Sequence, residues 1–152
     1  MREIGHKPLD QAERLLFMPD LMAYLFTGGT VNEATIATTS RLMDIGKREW
    51  DYELIEDLGI PGKIFGPLSE AGSTVGRLKR EISRGIGNLE DTTVVLAACH
   101  DTASAVSIIP RRRGCSFISS GTWSVKGIVC DTPYRSEQAC RYQMANEGQP
   151  GG

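Results

Sequence analysis

The sequence predicts an α/β fold in which helices flank a mixed β-sheet. Residues 93–98 form a continuously apolar run, which is typical of a strand covered on both faces in a parallel or mixed sheet. Apolar residues recur at helical spacing in the first third of the chain. Two short apolar stretches, residues 115–119 and 123–130, flank a Ser-Gly-Thr turn and indicate a β-hairpin.

The first predicted elements are two short helices separated at Pro19. Apolar residues lie at helical spacing on both sides of this proline. Proline suits the first turn of a helix, and the carboxylate of Asp20 suits the positive N-terminal end. We expect the first helix to run from about Asp10 to Met18. The second should stop before Gly28, with the methionine and aromatic side chains of both helices in the core.

The next segment, residues 32–40, is rich in small side chains that carry hydroxyl groups. Such side chains bond to their own backbone and favour turns and helix caps. We expect a capped, buried connection here, and the alternative is a loop that contacts a ligand.

A further helix is predicted at residues 50–58, where four apolar side chains line one face, namely Trp50, Leu54, Ile55 and Leu58. Residues 74–78 alternate only weakly. A strand followed by a brief helix at residues 79–86, and one continuous helix over both segments, are therefore both compatible with the pattern.

The composition excludes several classes of protein. The 152 residues are 40% hydrophobic and 24% charged, which is typical of a globular protein. With a net charge of -2 and only one short basic cluster, residues 111–113, nothing favours binding to nucleic acid or to an anionic membrane. No apolar run approaches the roughly 20 residues of a membrane helix, and the N-terminus has no signal core. We expect a cytoplasmic protein whose four cysteines are free thiols.

Asp101 is the first candidate for chemistry, because it follows the apolar strand and precedes a helix predicted at residues 102–109. Ligands of open α/β sheets bind at such strand ends. A carboxylate there can accept the proton of a substrate hydroxyl as that hydroxyl attacks phosphorus. Capping the following helix is the commoner role of aspartate at this position, and the two roles are compatible.

The turn formed by residues 119–122, Ser-Ser-Gly-Thr, is the second candidate. Its glycine lets backbone N–H groups approach an anion closely, and the Thr122 hydroxyl adds a donor. An ordinary hairpin turn explains the same residues. His100 is either a ligand of a substrate hydroxyl or a core histidine bonded to the backbone. The basic cluster at residues 111–113 either steers phosphates or forms a solvated turn.

Residues 100–106, His-Asp-Thr-Ala-Ser-Ala-Val, and residues 119–124, Ser-Ser-Gly-Thr-Trp-Ser, together resemble the central signature of the L-rhamnulose kinases of the FGGY carbohydrate kinase family. Other segments resemble the same family in the same order, namely residues 15–20, 27–28, 37–40 and 146–148. FGGY kinases for other sugars, of the L-fuculose or xylulose type, share the His-Asp and Gly-Thr elements and vary the rest.

This resemblance implies the actin-like ATPase (ribonuclease H-like) fold, with sugar and ATP in a cleft between two domains. It implies that Asp101 is the general base and that His100 and Thr102 line the sugar site. It also implies that Gly121 and Thr122 contact the phosphates of ATP. The product would be L-rhamnulose 1-phosphate, with Mg²⁺ carried by the nucleotide and small molecules as the binding partners.

The resemblance further implies that the chain is an internal fragment of such a kinase. Residues 1–110 would be the latter part of the N-terminal sugar-binding domain, and residues 111–152 the opening strands of the C-terminal ATP-binding domain. The family's first glycine-rich phosphate loop and its adenosine-binding segment are not among these residues. We expect the fragment alone to be inactive, since positioning supplies most of the catalysis in phosphoryl transfer. The apolar surface of a half-cleft also favours self-association.

Three other classes remain open. A hydrolase would use a hairpin serine with His100 and Asp101, although the chain lacks the G-x-S-x-G nucleophile elbow. A small metal module would use Cys99, His100 and Cys115, in a spacing that fits no structural zinc pattern. The third class is a non-catalytic binding remnant of a kinase.

Overall fold

The computed structural model describes residues 7–87, 89–109, 116–122 and 124–150. In these ranges the helices are α1 (Lys7–Gln11), α2 (Met18–Thr27), α3 (Ala34–Thr38), α4 (Tyr52–Asp57), α5 (Arg80–Ile86), α6 (Asp101–Ser107) and α7 (Glu137–Arg141), with a 3₁₀ turn at Gly62–Ile64. The strands are β1 (Asn32–Glu33), β2 (Met43–Asp44), β3 (Glu49–Trp50), β4 (Leu68–Ser69), β5 (Thr74–Arg77), β6 (Thr93–Val95), β7 (Ser116–Ser120) and β8 (Ser124–Ile128).

The strands pair two by two. β1 pairs with β4 in parallel, while β2 with β3, β5 with β6 and β7 with β8 are antiparallel. Across the described ranges, the strands therefore form four two-stranded sheets, one parallel and three antiparallel. The hairpin β7–β8 has the predicted position, and the two strands β5 and β6 flank α5, so the weak pattern at residues 74–78 is a strand.

Helix α2 confirms the second of the two predicted helices, since it contains Pro19 and ends at Gly28, whose φ is 83°. The predicted helix from Asp10 to Met18 is wrong, because α1 ends at Gln11 and the chain enters α2 extended at Phe17. The carboxylate of Asp20 accepts the Phe17 N–H and fixes this entry.

The predicted core role of the apolar side chains on α2 is also wrong. Met18 is 70% exposed and Met22 is 47% exposed, and the buried positions of the helix are Asp20 and Ala23. The helix therefore buries the carboxylate of Asp20 and leaves most of its large apolar side chains on the surface.

The predicted helix at residues 50–58 is shorter than expected and buries fewer side chains. Asp51 accepts the Leu54 N–H at 3.0 Å, so the helix begins after Asp51. Ile55 is buried, whereas Leu54 and Leu58 are exposed. Trp50 lies in β3 instead, where its indole nitrogen donates to the Gly66 carbonyl at 2.8 Å.

The apolar core lies where α3, β3, α4 and the 3₁₀ turn meet. It consists of Ala37, Trp50, Ile55, Ile64 and Phe65. The rings of Trp50 and Phe65 meet edge to face, with centroids 4.8 Å apart.

Residues 93–98 do not form the predicted strand covered on both faces. Strand β6 ends at Val95, which is 51% exposed, and only Leu96 is fully buried. Beyond it, the N–H groups of Cys99 and His100 donate to side chains rather than to a neighbouring strand. Those side chains belong to residues 32–40, which confirms that this segment is a capped, buried connection.

Candidate active site

A cleft of about 420 Å³ lies between the start of α6 and the tip of the β7–β8 hairpin. Seven polar residues, one glycine and one valine line it, namely His100, Asp101, Thr102, Ser119, Ser120, Gly121, Thr122, Val125 and Glu147. All five residues assigned to the site from the sequence are in this set. The structure therefore brings the His-Asp-Thr segment and the Gly-Thr turn to one cavity.

Asp101 is the first residue of α6, and its side chain is 98% exposed. One carboxylate oxygen, Oδ1, accepts the Thr102 N–H at 2.7 Å and lies 3.4 Å from the Thr102 hydroxyl. In the described ranges nothing donates to Oδ2, so this oxygen of a residue that lines the cleft has its lone pairs free. Asp101 thus helps to satisfy the helix start and still offers an acceptor to a ligand.

The imidazole of His100 lies between two carboxylates. Its Nδ1 is 3.6 Å from Oε2 of Glu147, and its Nε2 is 3.9 Å from Oδ1 of Asp101. Nδ1 is buried and has no hydrogen-bond partner among the residues that the structure describes. His100 is therefore not a core histidine bonded to backbone through its ring, and the ring is held next to the exposed carboxylate of Asp101.

The hairpin presents hydroxyl groups to the cleft. The register of β7 and β8 ends at the Ser120–Ser124 pair, so Gly121 and Thr122 lie in the connecting turn. The hydroxyls of Ser120 and Ser124 are 3.2 Å apart and close the base of this turn. A turn with hydroxyl side chains and accessible backbone N–H groups suits the oxygens of a phosphate group.

A buried carboxylate, Glu33, holds the segment that precedes Asp101. Its Oε2 accepts the Cys99 N–H at 3.1 Å and the Thr35 hydroxyl at 2.6 Å. The oxygen of that hydroxyl in turn accepts the His100 N–H at 3.2 Å. Two consecutive backbone N–H groups before Asp101 are thus bound by side chains at the start of α3.

A second buried carboxylate, Asp20, supports the first. Its Oδ1 accepts the Glu33 N–H at 3.1 Å, and its Oδ2 accepts from the Asn32 amide at 3.0 Å and from the Phe17 N–H at 3.3 Å. Burial raises the pKa of Asp20 above its ordinary value and outweighs these hydrogen bonds, each of which lowers it. The buried carboxyl groups of Asp20 and Glu33 behind the cleft therefore have hydrogen-bond partners, but burial disfavours the charged form of Asp20.

The thiol of Cys99 lies against this acidic interior. Burial, together with the smaller effects of the charges of Glu33 and Asp20, raises the pKa of Cys99 to about 11. At neutral pH the group is a protonated thiol, which is neither a nucleophile nor a good metal ligand. The described cysteines, Cys99, Cys130 and Cys140, are free, as expected.

Glu147 is a cleft residue to which the sequence assigned no role. Asn146 bonds twice to the backbone of Tyr134, at 2.9 Å each, and the Gly148 N–H donates to the Thr38 hydroxyl at 3.3 Å. These contacts bring the late segment back to α3 and place Glu147 beside His100. The available signal was the Asn-Glu-Gly run at residues 146–148, which carried a family resemblance but no predicted contact.

The structure bears on the other classes only through the residues it describes. Within that part of the chain, no group of three His, Cys, Asp or Glu side chains is arranged to hold a metal ion, and His100 donates no hydrogen bond to a hairpin serine. Cys115, the basic cluster at residues 111–113 and the predicted boundary at residues 110–114 lie outside the described residues. None of the described helices is both long enough and apolar enough to cross a membrane.

The sequence of this chain is similar to those of known carbohydrate kinases. A model of the N-terminal domain of the FGGY family of carbohydrate kinases matches residues 3–107. The chain is 38% identical over 140 residues to a rhamnulokinase from Oceanobacillus iheyensis, covering 92% of this chain and 29% of that protein. It is 40% identical over 141 residues to a rhamnulokinase from Pectobacterium atrosepticum, covering 92% of this chain and 27% of that protein. The chain thus spans less than a third of the length of these relatives.

A solved structure with the same fold is the ligand-bound xylulose kinase from Lactobacillus acidophilus, with a TM-score of 0.75 at 20% identity. The match covers 89% of this chain and 28% of that one. This likeness confirms the predicted fold class, an α/β fragment of the actin-like ATPase fold.

Proposed function

Because the chain belongs to the FGGY family of carbohydrate kinases, we propose that it forms the central part of an ATP-dependent kinase that converts L-rhamnulose to L-rhamnulose 1-phosphate. The rhamnulokinase relatives, which align over 92% of the chain, favour this sugar. The observation that carries the proposal is the shared cleft, which Asp101 lines together with the turn formed by Gly121 and Thr122.

Asp101 acts as the general base. The hydroxyl of the sugar gives its proton to the free carboxylate oxygen of Asp101 while the hydroxyl oxygen forms a bond to the γ-phosphorus of ATP. The bond from that phosphorus to the ADP oxygen breaks in the same transfer, and ADP leaves. Because the Thr102 N–H holds Oδ1, the carboxylate is oriented before the sugar arrives.

His100 and Thr102 bind and orient the sugar. The ring of His100 lines the cleft next to Asp101, so its Nε2 atom can bond to a hydroxyl of a sugar held against the base. Thr102 contributes a hydroxyl one residue beyond the base. These contacts hold the reacting hydroxyl against Asp101, which is where positioning contributes most to the rate.

Gly121 and Thr122 receive the phosphates of ATP through backbone N–H groups and the Thr122 hydroxyl. Asp101 and Glu147 put two carboxylates in the same cleft, and their oxygen atoms are ligands of the kind that Mg²⁺ accepts together with substrate phosphates. Mg²⁺ brought by the nucleotide would offset the negative charge of the phosphates beside these carboxylates. Asp101 and Glu147 are the residues that would contact it.

The wider organisation follows the same proposal. Residues 1–110 belong to the sugar-binding domain and residues 111–152 open the ATP-binding domain, in a protein of the cytoplasm. The 152 residues alone bind their ligands incompletely, release no product and self-associate through exposed apolar surface such as that of α2.

An assay of the full-length protein tests the proposal. ADP release is followed with L-rhamnulose, L-fuculose and xylulose as alternative acceptors, and phosphorylation at the 1-position is identified by NMR. We expect L-rhamnulose to give the highest kcat/KM. A higher kcat/KM with L-fuculose or xylulose would change the assigned substrate and leave the proposed reaction in place. No ADP release with any of the three sugars would refute the proposed kinase activity.

A further inference from the structure

Resting on the proposed function, we infer that Glu33 is a positioning residue for the general base. Its buried carboxylate fixes the place of Asp101 by holding the backbone immediately before it. Glu33 is 0% exposed and touches neither the cleft nor any ligand that would enter it. Its effect on the reaction therefore passes through the chain from Cys99 to Asp101.

The first tie runs directly from Glu33 to Cys99. The Cys99 N–H donates to Oε2 of Glu33 at 3.1 Å, and 66 positions of sequence separate the two residues. Strand β6 has already ended at Val95, so the ladder no longer supports the chain at this point. The carboxylate of Glu33 takes the place of a strand neighbour as the acceptor.

The second tie runs through Thr35. Its hydroxyl donates to Oε2 of Glu33 at 2.6 Å, and the same oxygen accepts the His100 N–H at 3.2 Å. Thr35 is 1% exposed, so no water competes for this hydroxyl. Two successive N–H groups are thus anchored to one rigid unit, and Asp101 is the next residue.

The unit is rigid because Glu33 also caps α3. Its Oε1 accepts the Thr35 N–H at 3.0 Å, and Oε2 accepts the Ile36 N–H at 3.1 Å. With the Cys99 N–H and the Thr35 hydroxyl, the carboxylate accepts four hydrogen bonds, and the Asp20 carboxylate accepts the Glu33 N–H. Neither oxygen of Glu33 has freedom to move without breaking a charge-assisted bond.

Only a carboxylate of this length satisfies the set of donors. An amide has one acceptor oxygen, and its NH₂ group would face an N–H donor in place of Oε1 or Oε2. Aspartate keeps the charge near the start of α3, but its side chain is one methylene shorter and does not reach Cys99. Glu33→Gln removes the charge from the acceptor and leaves at least one N–H without a partner, whereas Glu33→Asp breaks the bond to Cys99, so both weaken the hold on the segment before Asp101.

Hydrogen exchange in the full-length protein tests the tie, read by mass spectrometry on a peptide covering residues 97–104. We expect Glu33→Gln to speed exchange of this peptide about tenfold, the equivalent of one charge-assisted hydrogen bond. The matched control is Glu70→Gln, an exposed carboxylate paired with Arg48 on the surface, which should leave this peptide unchanged.

Kinetics test the positioning role. We expect Glu33→Gln and Glu33→Asp to lower kcat for the sugar about 100-fold, because displacement of a catalytic group by about 1 Å has that effect. The KM for the sugar should rise by a smaller factor than kcat falls, because the side chains of His100 and Thr102 are still present although the backbone before Asp101 is held less firmly. Glu70→Gln should retain the wild-type kcat.

A second pair of variants covers the case in which Glu33→Gln fails to fold. Thr35→Val removes the hydroxyl at nearly constant shape and should lower kcat and speed exchange of the same peptide. Thr35→Ser keeps the hydroxyl and should restore most of both values. If Thr35 had only a structural role, Thr35→Val would lower the stability and Thr35→Ser would not restore kcat.

The outcomes separate the two proposals. The positioning role is overturned if the folded Glu33→Gln, Glu33→Asp and Thr35→Val variants exchange residues 97–104 at the wild-type rate. It is also overturned if these variants exchange faster but keep the wild-type kcat. A wild-type protein that phosphorylates none of the sugars overturns the proposed function. In that case the exchange experiment still decides whether Glu33 holds the segment before Asp101.

Discussion

The Nδ1 atom of His100 lies 3.6 Å from the Oε2 atom of Glu147, and Oδ1 of Asp101 lies 3.9 Å from Nε2 on the other side of the ring. A residue from the last part of the chain thus flanks the imidazole that precedes the candidate base. The Tyr134–Asn146 and Thr38–Gly148 hydrogen bonds fix this approach. Glu147 is accordingly part of the site.

Replacement of Glu147 by glutamine tests that placement. We expect Glu147→Gln to raise the KM for the sugar about tenfold with a smaller change in kcat, because the imidazole loses a charged neighbour while Asp101 is untouched. The control is Glu13→Gln, an exposed side chain outside the cleft. Unchanged steady-state constants for Glu147→Gln would exclude the residue from sugar binding.

Replacement of Asp101 by asparagine tests the general base. The amide keeps the shape but accepts no proton, so kcat of the full-length protein should fall about 10²- to 10⁴-fold. The Kd for the sugar, measured by calorimetry, should stay within about threefold. Asp91→Asn is the matched control, because its side chain is 93% exposed and that of Asp101 is 98% exposed. Retained turnover in Asp101→Asn would remove the residue from its role.

The 152-residue chain provides a test of completeness. We expect no ADP release above background from this polypeptide with L-rhamnulose and ATP, because the glycine-rich phosphate loop of the family is not in its sequence. Calorimetry with each ligand separately distinguishes a binding remnant from an inert chain. Turnover comparable to that of the full-length protein would contradict the expectation.

The raised pKa of Asp20 predicts that its contribution to the free energy of unfolding decreases as the pH rises. Its pKa is raised above the ordinary 3.8 by burial, so the native state binds the proton more tightly than the unfolded state does. This contribution is fully present below pH 3.8 and is lost as the pH rises through the raised pKa. The free energy of unfolding of the wild type, measured relative to Asp20→Asn in urea, should therefore decrease as the pH rises across this window.

Asp20→Asn should also destabilise the chain by about 1 to 3 kcal/mol at the acid end of that window. Asparagine puts an NH₂ group, which accepts nothing, in place of one of the two Asp20 oxygens that together accept three N–H groups. Asp57→Asn, on the exposed side of α4, should change the free energy of unfolding by less than about 0.5 kcal/mol. A wild-type advantage that increases with pH would show that burial does not dominate at Asp20.

The thiol of Cys99 should resist alkylation. With its pKa at about 11 against the ordinary 9.0, it has about 100-fold less thiolate at pH 8 than an unperturbed thiol. Iodoacetamide should therefore label the exposed Cys130 and Cys140 first, as read by peptide mass spectrometry. Unfolding in guanidinium chloride should abolish the difference. Labelling of Cys99 at the rate of the other two in the native chain would contradict the raised pKa.

Elements with local signals could be predicted from the sequence. Pro19 and Gly28 delimit α2, and a Ser-Gly-Thr turn joins the hairpin strands, because backbone restriction and turn chemistry act within a few residues. The site residues His100, Asp101 and Thr122 came from such local strings combined with a family resemblance. The resemblance implied that they share a cleft, and the structure adds the position of Glu147 in it.

Features that depend on distant partners could not be predicted. Trp50 continues the helical spacing of residues 50–58, but the Gly66 carbonyl and the Phe65 ring draw it into the core from a strand. The apolar run after Thr93 resembles a covered strand, yet its end is bonded to side chains of β1 and α3. Nothing near Cys99 in the sequence indicates that Glu33 accepts its N–H.

Residues at the two ends of α3 bind two of the three segments that line the cleft. Glu33, at its first end, holds the chain that leads to Asp101, and Thr38, at its other end, holds the chain that carries Glu147. These two segments are thus bound at the two ends of one helix of five residues, whereas the hairpin segment is held by the pairing of β7 with β8. We therefore expect a displacement of α3 to move the His100–Asp101 segment and Glu147 together and to change their distance from the hairpin turn.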